Sequence, residues 1–317
     1  MKKIGVCILW ILPILILMSC GNNQGELQKV GMITENEIVN DSWEHKGFEG
    51  LQQIEKTYGV DVFLEENVAT ESEVIKAVDD MAHRGVNLIF GHSSNYGKYF
   101  IQLAKDYPNI HFVYFNGTYT GKHVSSISFQ SHAMSFFAGM IAAEMTDSND
   151  VGIIAAYEWQ DEIEGFFEGV KYQTPDVNVH INFIKTWVDT GKAKIIYNQM
   201  LADGVDVFYP VGDTYSADII EQANDDQVYA IGYMEEQSKI APTTVLTSTI
   251  QEVSKAYLTL AGKLNDGELN GGAIHYDFAD EFVRLGEFND DIPQEFQLKI
   301  EKAINGYVDS GLLPYEQ

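Results

Sequence analysis

The 317-residue sequence predicts an α/β fold of two lobes in series, a clamshell of parallel sheets behind a secretory signal. Three observations carry this expectation. Short apolar, β-branched runs alternate with longer segments of helical period, the pattern of βαβ units around parallel sheets. The alternation runs to about residue 115 and restarts after Met145, which makes two similar units rather than one long sheet. At the N-terminus, Lys2 and Lys3 precede an apolar run that ends at Met18.

In chain order, the first strand is expected at 30–34 and the first helix at 42–58, where the Ser42 hydroxyl can accept from the helix's free N–H groups. Strands at 62–64, 88–90 and 112–115 follow, with helices at 71–84 and 96–106 between them. After a strand at 124–128 and a helix at 133–145, strands at 151–154, 179–184, 205–209 and 228–231 alternate with helices at 163–173, 191–202 and 217–223. A strand at 245–249 and a helix at 250–264 come last. Crossings between lobes are expected at 125–130, at 243–249 and again near 271–280. The expected division is a signal peptide at 1–19, a tether at 20–29, a first lobe at 30–125 plus 250–317, and a second lobe at 126–249.

The apolar run of the signal is shorter than the roughly 20 residues of a spanning helix. Its end, Leu17-Met18-Ser19-Cys20, resembles the lipobox of bacterial lipoproteins and puts Cys20 at the first mature position. The resemblance implies lipidation of Cys20 and attachment to the outer face of a membrane. The only other cysteine, Cys7, lies in the signal, so no disulfide is expected within the mature chain. The formal net charge is −27. Such a surface repels nucleic-acid phosphate and anionic lipid, which excludes direct nucleic-acid binding from the expectations.

Motifs for chemistry are missing. Gly91-His92-Ser93-Ser94-Asn95 lacks the second glycine of a nucleophile elbow and fits a polar strand-end loop lining a cleft better than a hydrolase. No H-E-x-x-H, cysteine pair or phosphate-cradling glycine loop occurs, so neither metal, cofactor nor catalysis is expected. The strand ends instead carry aromatic and polar residues: Glu35, Trp43 with Glu44, Asn116, 157–159, 209–215 and Tyr233. In open α/β sheets ligands sit at the carboxyl ends of strands, and stacking faces beside a few polar groups suit a small aromatic or nucleoside-like ligand.

Several segments carry a family resemblance. Asn40-Asp41-Ser42-Trp43-Glu44-His45-Lys46-Gly47-Phe48-Glu49-Gly50-Leu51 is similar to the D-K-S-F-N-Q-S-A-Y-E-G-L signature of the basic membrane protein lipoproteins. Phe137-Ala138-Gly139 with Ala142-Ala143-Glu144-Met145-Thr146, Gly165 through Val170, Ile231-Gly232 through Gln237, and Val245-Leu246-Thr247-Ser248 resemble further motifs of that family. The likeness implies a type I periplasmic-binding-protein-like clamshell, and a nucleoside receptor as one function. The departures matter more. The base-stacking phenylalanine and its neighbouring asparagine are Trp43 and Glu44, a base-reading aspartate is Asn116, the ribose-gripping aspartate is Met234, and a lysine is Gln251. The family's G-G-T-G turn reads Gly212-Asp213-Thr214-Tyr215. A ribose facing Met234 loses charge-assisted bonds, and each stranded polar group costs about 1–3 kcal/mol.

By length and by its unusual signature the chain resembles the competence-regulating lipoproteins of that family. The expectation is therefore a membrane-anchored regulator with a diverged cleft, working indirectly on transcription through an unidentified signalling or transporter partner. A nucleoside-binding lipoprotein of an ABC importer is the alternative.

Overall fold

The computed structural model describes residues 26–38 and 43–317. The signal peptide, Cys20 and Ser42 lie outside the described residues. Among the described residues no helix is long and apolar enough to cross a membrane. The tether was expected to run through residue 29, but the fold begins earlier. Leu27 is buried, the Asn87 side chain accepts from the Gln28 N–H and donates to the Glu26 carbonyl, and Lys29 opens the first strand.

Among the described residues two six-stranded sheets form the frame. The first contains β1 (Lys29–Ile33), β2 (Asp61–Glu65), β3 (Leu88–Gly91), β4 (His111–Phe115), β5 (Val124–Phe129) and β11 (Gly272–Tyr276), in the order β11-β5-β4-β3-β1-β2. The second contains β6 (Asp150–Ala155), β7 (Asn178–Phe183), β8 (Val207–Val211), β9 (Tyr229–Gly232), β10 (Val245–Gln251) and β12 (Val283–Leu285), in the order β12-β10-β9-β8-β6-β7. Every pairing of named strands is parallel except β10 with β12. Central strands such as β4 and β8 are buried along their whole length, as strands covered by helices on both faces must be.

The helices are α1 (Trp43–Tyr58), α2 (Glu71–His83), α3 (Gly97–Asp106), α4 (Ser131–Met145), α5 (Asp161–Gln173), α6 (Thr190–Ala202), α7 (Tyr215–Asp225), α8 (Val253–Asn265) and α9 (Gln294–Ser310). Most carry one apolar stripe and one wet face. Helix α4 is instead buried almost all round, from Ala133 to Ala143. It lies against α5 with the backbones nearly touching. A Cβ at Gly169 would sit 1.9 Å from the Phe136 carbonyl oxygen, and one at Gly139 would sit 2.3 Å from that of Phe166. Glycine is required there by the approach of the two helices, which is the physical content of the Phe137-Ala138-Gly139 and Gly165–Val170 segments.

The chain passes between the sheets after β5, after β10 and after β11. The division expected from the sequence needs correction beyond the third passage, because β12 pairs with β10 in the second sheet. Helix α9 and the segment after it stay there too: Tyr307 of α9 and Tyr315 beyond it contact Phe137 and Phe136 of α4, and the Lys299 ammonium reaches Gln173 of α5. Only α8 and β11 of the last third return to the first sheet, where α8 packs on α1 through the Ser254 hydroxyl bonded to the Lys46 carbonyl. Strand β5 likewise belongs wholly to the first sheet and β10 wholly to the second, which shifts both of the other expected boundaries.

Candidate functional site

Trp43 opens α1, so its backbone N–H has no carbonyl partner within the helix. Its indole is built into the wall of the first lobe. The ring stacks on His92 at 4.4 Å and meets Phe115 edge-on at 5.6 Å. The indole N–H donates to the His92 carbonyl, while Nε2 of His92 donates to the Trp43 carbonyl at 2.7 Å. A carbonyl only accepts, so the neutral ring carries its proton on Nε2 and takes the Tyr257 hydroxyl on Nδ1 at 2.8 Å. Burial pushes the imidazole down to about 3, which keeps it neutral. Tyr257 stacks on Phe90 and Phe115 behind it. Trp43 is thus a rigid, half-buried aromatic surface held from behind.

The second lobe reaches this wall directly. Oδ1 of Asp213, in the turn between β8 and α7, accepts the Trp43 N–H at 2.7 Å, across 170 positions of sequence. A carboxylate of one lobe therefore caps a helix of the other. The turn is shaped for it. Tyr215 folds its ring over Gly212, where a Cβ would lie 1.8 Å from the ring, and its hydroxyl donates to the carbonyls of Ile154 and Val211. Burial raises the Asp213 carboxyl to about 7, the Glu44 and Glu235 charges push the same way, and the Trp43 N–H opposes them. Beside this contact the Lys46 ammonium of α1 forms a short ion pair with Glu235 of the second lobe.

The other expected site residues are placed as follows. Glu35 accepts from the Asn95 side chain and Glu44 from that of Asn36, both within the first lobe. Asn116 is exposed at the end of β4 with a left-handed φ of 55°, its N–H donating to the Ile127 carbonyl. Thr214 precedes α7 without making a side-chain cap. Met234 is buried with a φ of 68°, and its carbonyl accepts the Gln251 N–H. These two line a crevice of about 190 Å³ at the passage between lobes, together with Lys46, Glu235, Glu236 and Arg284. Its cations are committed, Lys46 to Glu235 and Arg284 to Glu252. The structure thus brings Trp43 and Asp213 together, and separately Met234 and Gln251.

Sequence reasoning passed over Tyr257, Lys46 and Glu235 as parts of this site, and reached His92 only as part of a loop expected to line a cleft. The sequence marked Asp213 as unusual, an acid where the family's turn has glycine, but gave no sign of its partner. The Ser93 hydroxyl accepts from the Asn95 N–H as the cap of a short turn, and among the described residues no imidazole bonds it. The second lobe also carries a buried polar chain that no motif announced. The Tyr209 hydroxyl bonds Ser135 and Thr249, and Tyr233 reaches Glu162, whose carboxyl burial lifts to about 7.

Comparison with known proteins agrees with this architecture. The model of the family described as ABC transporter substrate-binding protein PnrA-like matches residues 27–315. The chain is 42% identical over 303 residues to the transcriptional activator protein med of Bacillus subtilis (strain 168), covering 95% of this chain and 96% of that protein. It is 25% identical over 293 residues to a purine-binding protein of Brucella abortus (strain 2308), covering 91% and 83%. The crystal structure of a transcriptional activator of the comK gene from Bacillus halodurans superposes with a TM-score of 0.84 at 38% identity, over 90% of this chain and 99% of that one. The chain belongs to the Bmp family of PnrA-like ABC transporter substrate-binding proteins.

Proposed function

We propose that this chain is a lipid-anchored regulator on the extracytoplasmic face of the membrane, built on a substrate-binding fold, that promotes competence gene expression indirectly. The observation that carries this reading is the Asp213–Trp43 contact: the cleft is bridged by the protein's own carboxylate at the stacking residue. The Lys46–Glu235 pair adds a second bridge. An importer's receptor must instead close on its cargo, so that cargo supplies the differential contacts. The likeness to the Bacillus subtilis activator supports the regulatory role, and the excess of 47 acidic over 20 basic residues supports action through a signalling partner rather than on DNA. Cys20 supplies the anchor. No catalytic step is part of the reading.

Calorimetry with guanosine, adenosine and inosine tests it. The expected result is negligible heat for the unaltered protein and measurable binding after Met234→Asp combined with Gln251→Lys. Charged hydrogen bonds in such sites contribute about 1.5–3 kcal/mol each, so two of them separate a receptor from a protein too weak to detect. Tight, ribose-dependent binding by the unaltered protein would overturn the proposal in favour of a nucleoside receptor of an importer, which the Brucella purine-binding relative makes the natural second reading.

A further inference from the structure

The loops that follow β6 and β7 carry an aromatic cluster that neither the cleft nor the core uses. The Tyr157 and Trp159 rings stack at 5.6 Å and 13°, and Trp187 meets both edge-on at 5.5 and 5.7 Å. Trp159 is nevertheless 67% exposed, with Phe167 of α5 also exposed at 42%. Between them runs a groove of about 350 Å³, with Trp159, Ile163, Phe167 and Ile181 as its apolar lining and Glu158, Asp161 and Glu164 as its polar one. A solvent-facing indole held rigid by two neighbours loses little entropy when covered, and contiguous exposed apolar surface with a polar rim marks an interaction site.

The charges specify the occupant. Glu158 pairs with Lys185, but neither Asp161 nor Glu164 has a cationic partner among the described residues. The dipole of α5 accounts for acids in its first turn; it does not account for an indole laid bare beside them. A second copy would set two such acidic rims against each other on chains of net charge −27, and anionic lipid or nucleic acid is repelled in the same way. A guanidinium or ammonium is attracted both to the Trp159 face and to the unpaired carboxylates, while apolar side chains beside it fill the groove. We infer that this surface docks a basic, Arg- or Lys-bearing segment of a partner protein that also presents apolar side chains. The inference is independent of whether anything occupies the cleft.

The test uses the full-length protein in nonionic detergent and a fluorescent peptide alternating Arg and Leu, with its Glu–Leu counterpart as control. The Arg–Leu peptide is expected to bind and the acidic one not. Trp159→Ala, and separately Glu158→Gln with Asp161→Asn and Glu164→Gln, should each weaken binding about tenfold or more. Removing the same charge from α9, by Glu295→Gln, Glu301→Gln and Asp309→Asn, should change it less than about threefold, as expected for remote screened charges. Unchanged melting temperatures confirm that the variants fold. Absence of binding, equal loss in the α9 control, retained affinity in Trp159→Ala, or self-association that Trp159→Ala abolishes would each overturn the inference.

Discussion

Asp213→Asn keeps an acceptor oxygen opposite the Trp43 N–H and removes only the charge, which makes it the sharpest probe of the cross-lobe cap. Burial raises the native carboxyl from 3.8 to about 7, so the folded protein holds a proton there that the unfolded chain releases. The sign follows from linkage: this contribution to stability is fully present below about pH 3.8 and is lost as pH rises through about 7. The rise from 3.8 to about 7 corresponds to about 4 kcal/mol. The side chain is only part-buried, and solvent screening reduces this to about 1–2 kcal/mol. The asparagine side chain never ionises, so the variant should match the wild type near pH 4.5 and exceed it by that amount near pH 8.5. At about 2–4 °C per kcal/mol for a chain of this size, the melting temperature near pH 8.5 should rise by several degrees. Thermal melts of both proteins across this range measure the difference directly, and other titrating groups cancel in the comparison. A variant that is no more stable than the wild type near pH 8.5, or a difference that does not grow with pH, would refute the reasoning.

Three further outcomes are expected. Gly169→Ala drives a methyl into the Phe136 carbonyl, so α4 and α5 must separate, at a cost of about 3 kcal/mol in urea unfolding; a loss below about 1 kcal/mol would mean the helices are not in backbone contact. Tyr209→Phe removes the hydroxyl that joins Ser135 to Thr249 and should lower stability by about 1 kcal/mol without altering the urea dependence. Cys20→Ala should release the protein from the membrane fraction and abolish labelling by a fatty-acid probe, and retained labelling would remove the lipid anchor from the proposed function.

The alternation of strand and helix was legible because strands buried on both faces read as unbroken apolar runs and helices carry their own stripe. The C-terminal part was not. Strand β11 is half exposed and β12 has three residues, too little for a period-2 signal. Helix α9 was overlooked although Phe296, Ile300 and Tyr307 recur at helical spacing and Gly311, with a φ of 72°, ends it. Within the site, the positions of Trp43, Met234 and Gln251 could be read from motifs. That Asp213 caps Trp43 could not, because the partner of an orphaned N–H lies in another lobe and is set by how the lobes meet, a property no local window contains.

The three passages of the chain between the sheets also constrain the order in which the molecule is completed as it leaves the ribosome or a translocation pore. The first sheet lacks β11 until residue 276 has emerged, and α1 lacks its partner α8 until shortly before that. The second keeps the β10 edge open until β12 arrives, and α4 lacks its cover until α9 follows. Both halves therefore wait on the last part of the chain. Until it arrives the nascent protein presents unpaired strand edges and the bare flank of its most apolar helix, the features that recruit holding chaperones and proteases. A premature stop ahead of Gly272 would accordingly leave both halves unfinished rather than spare one.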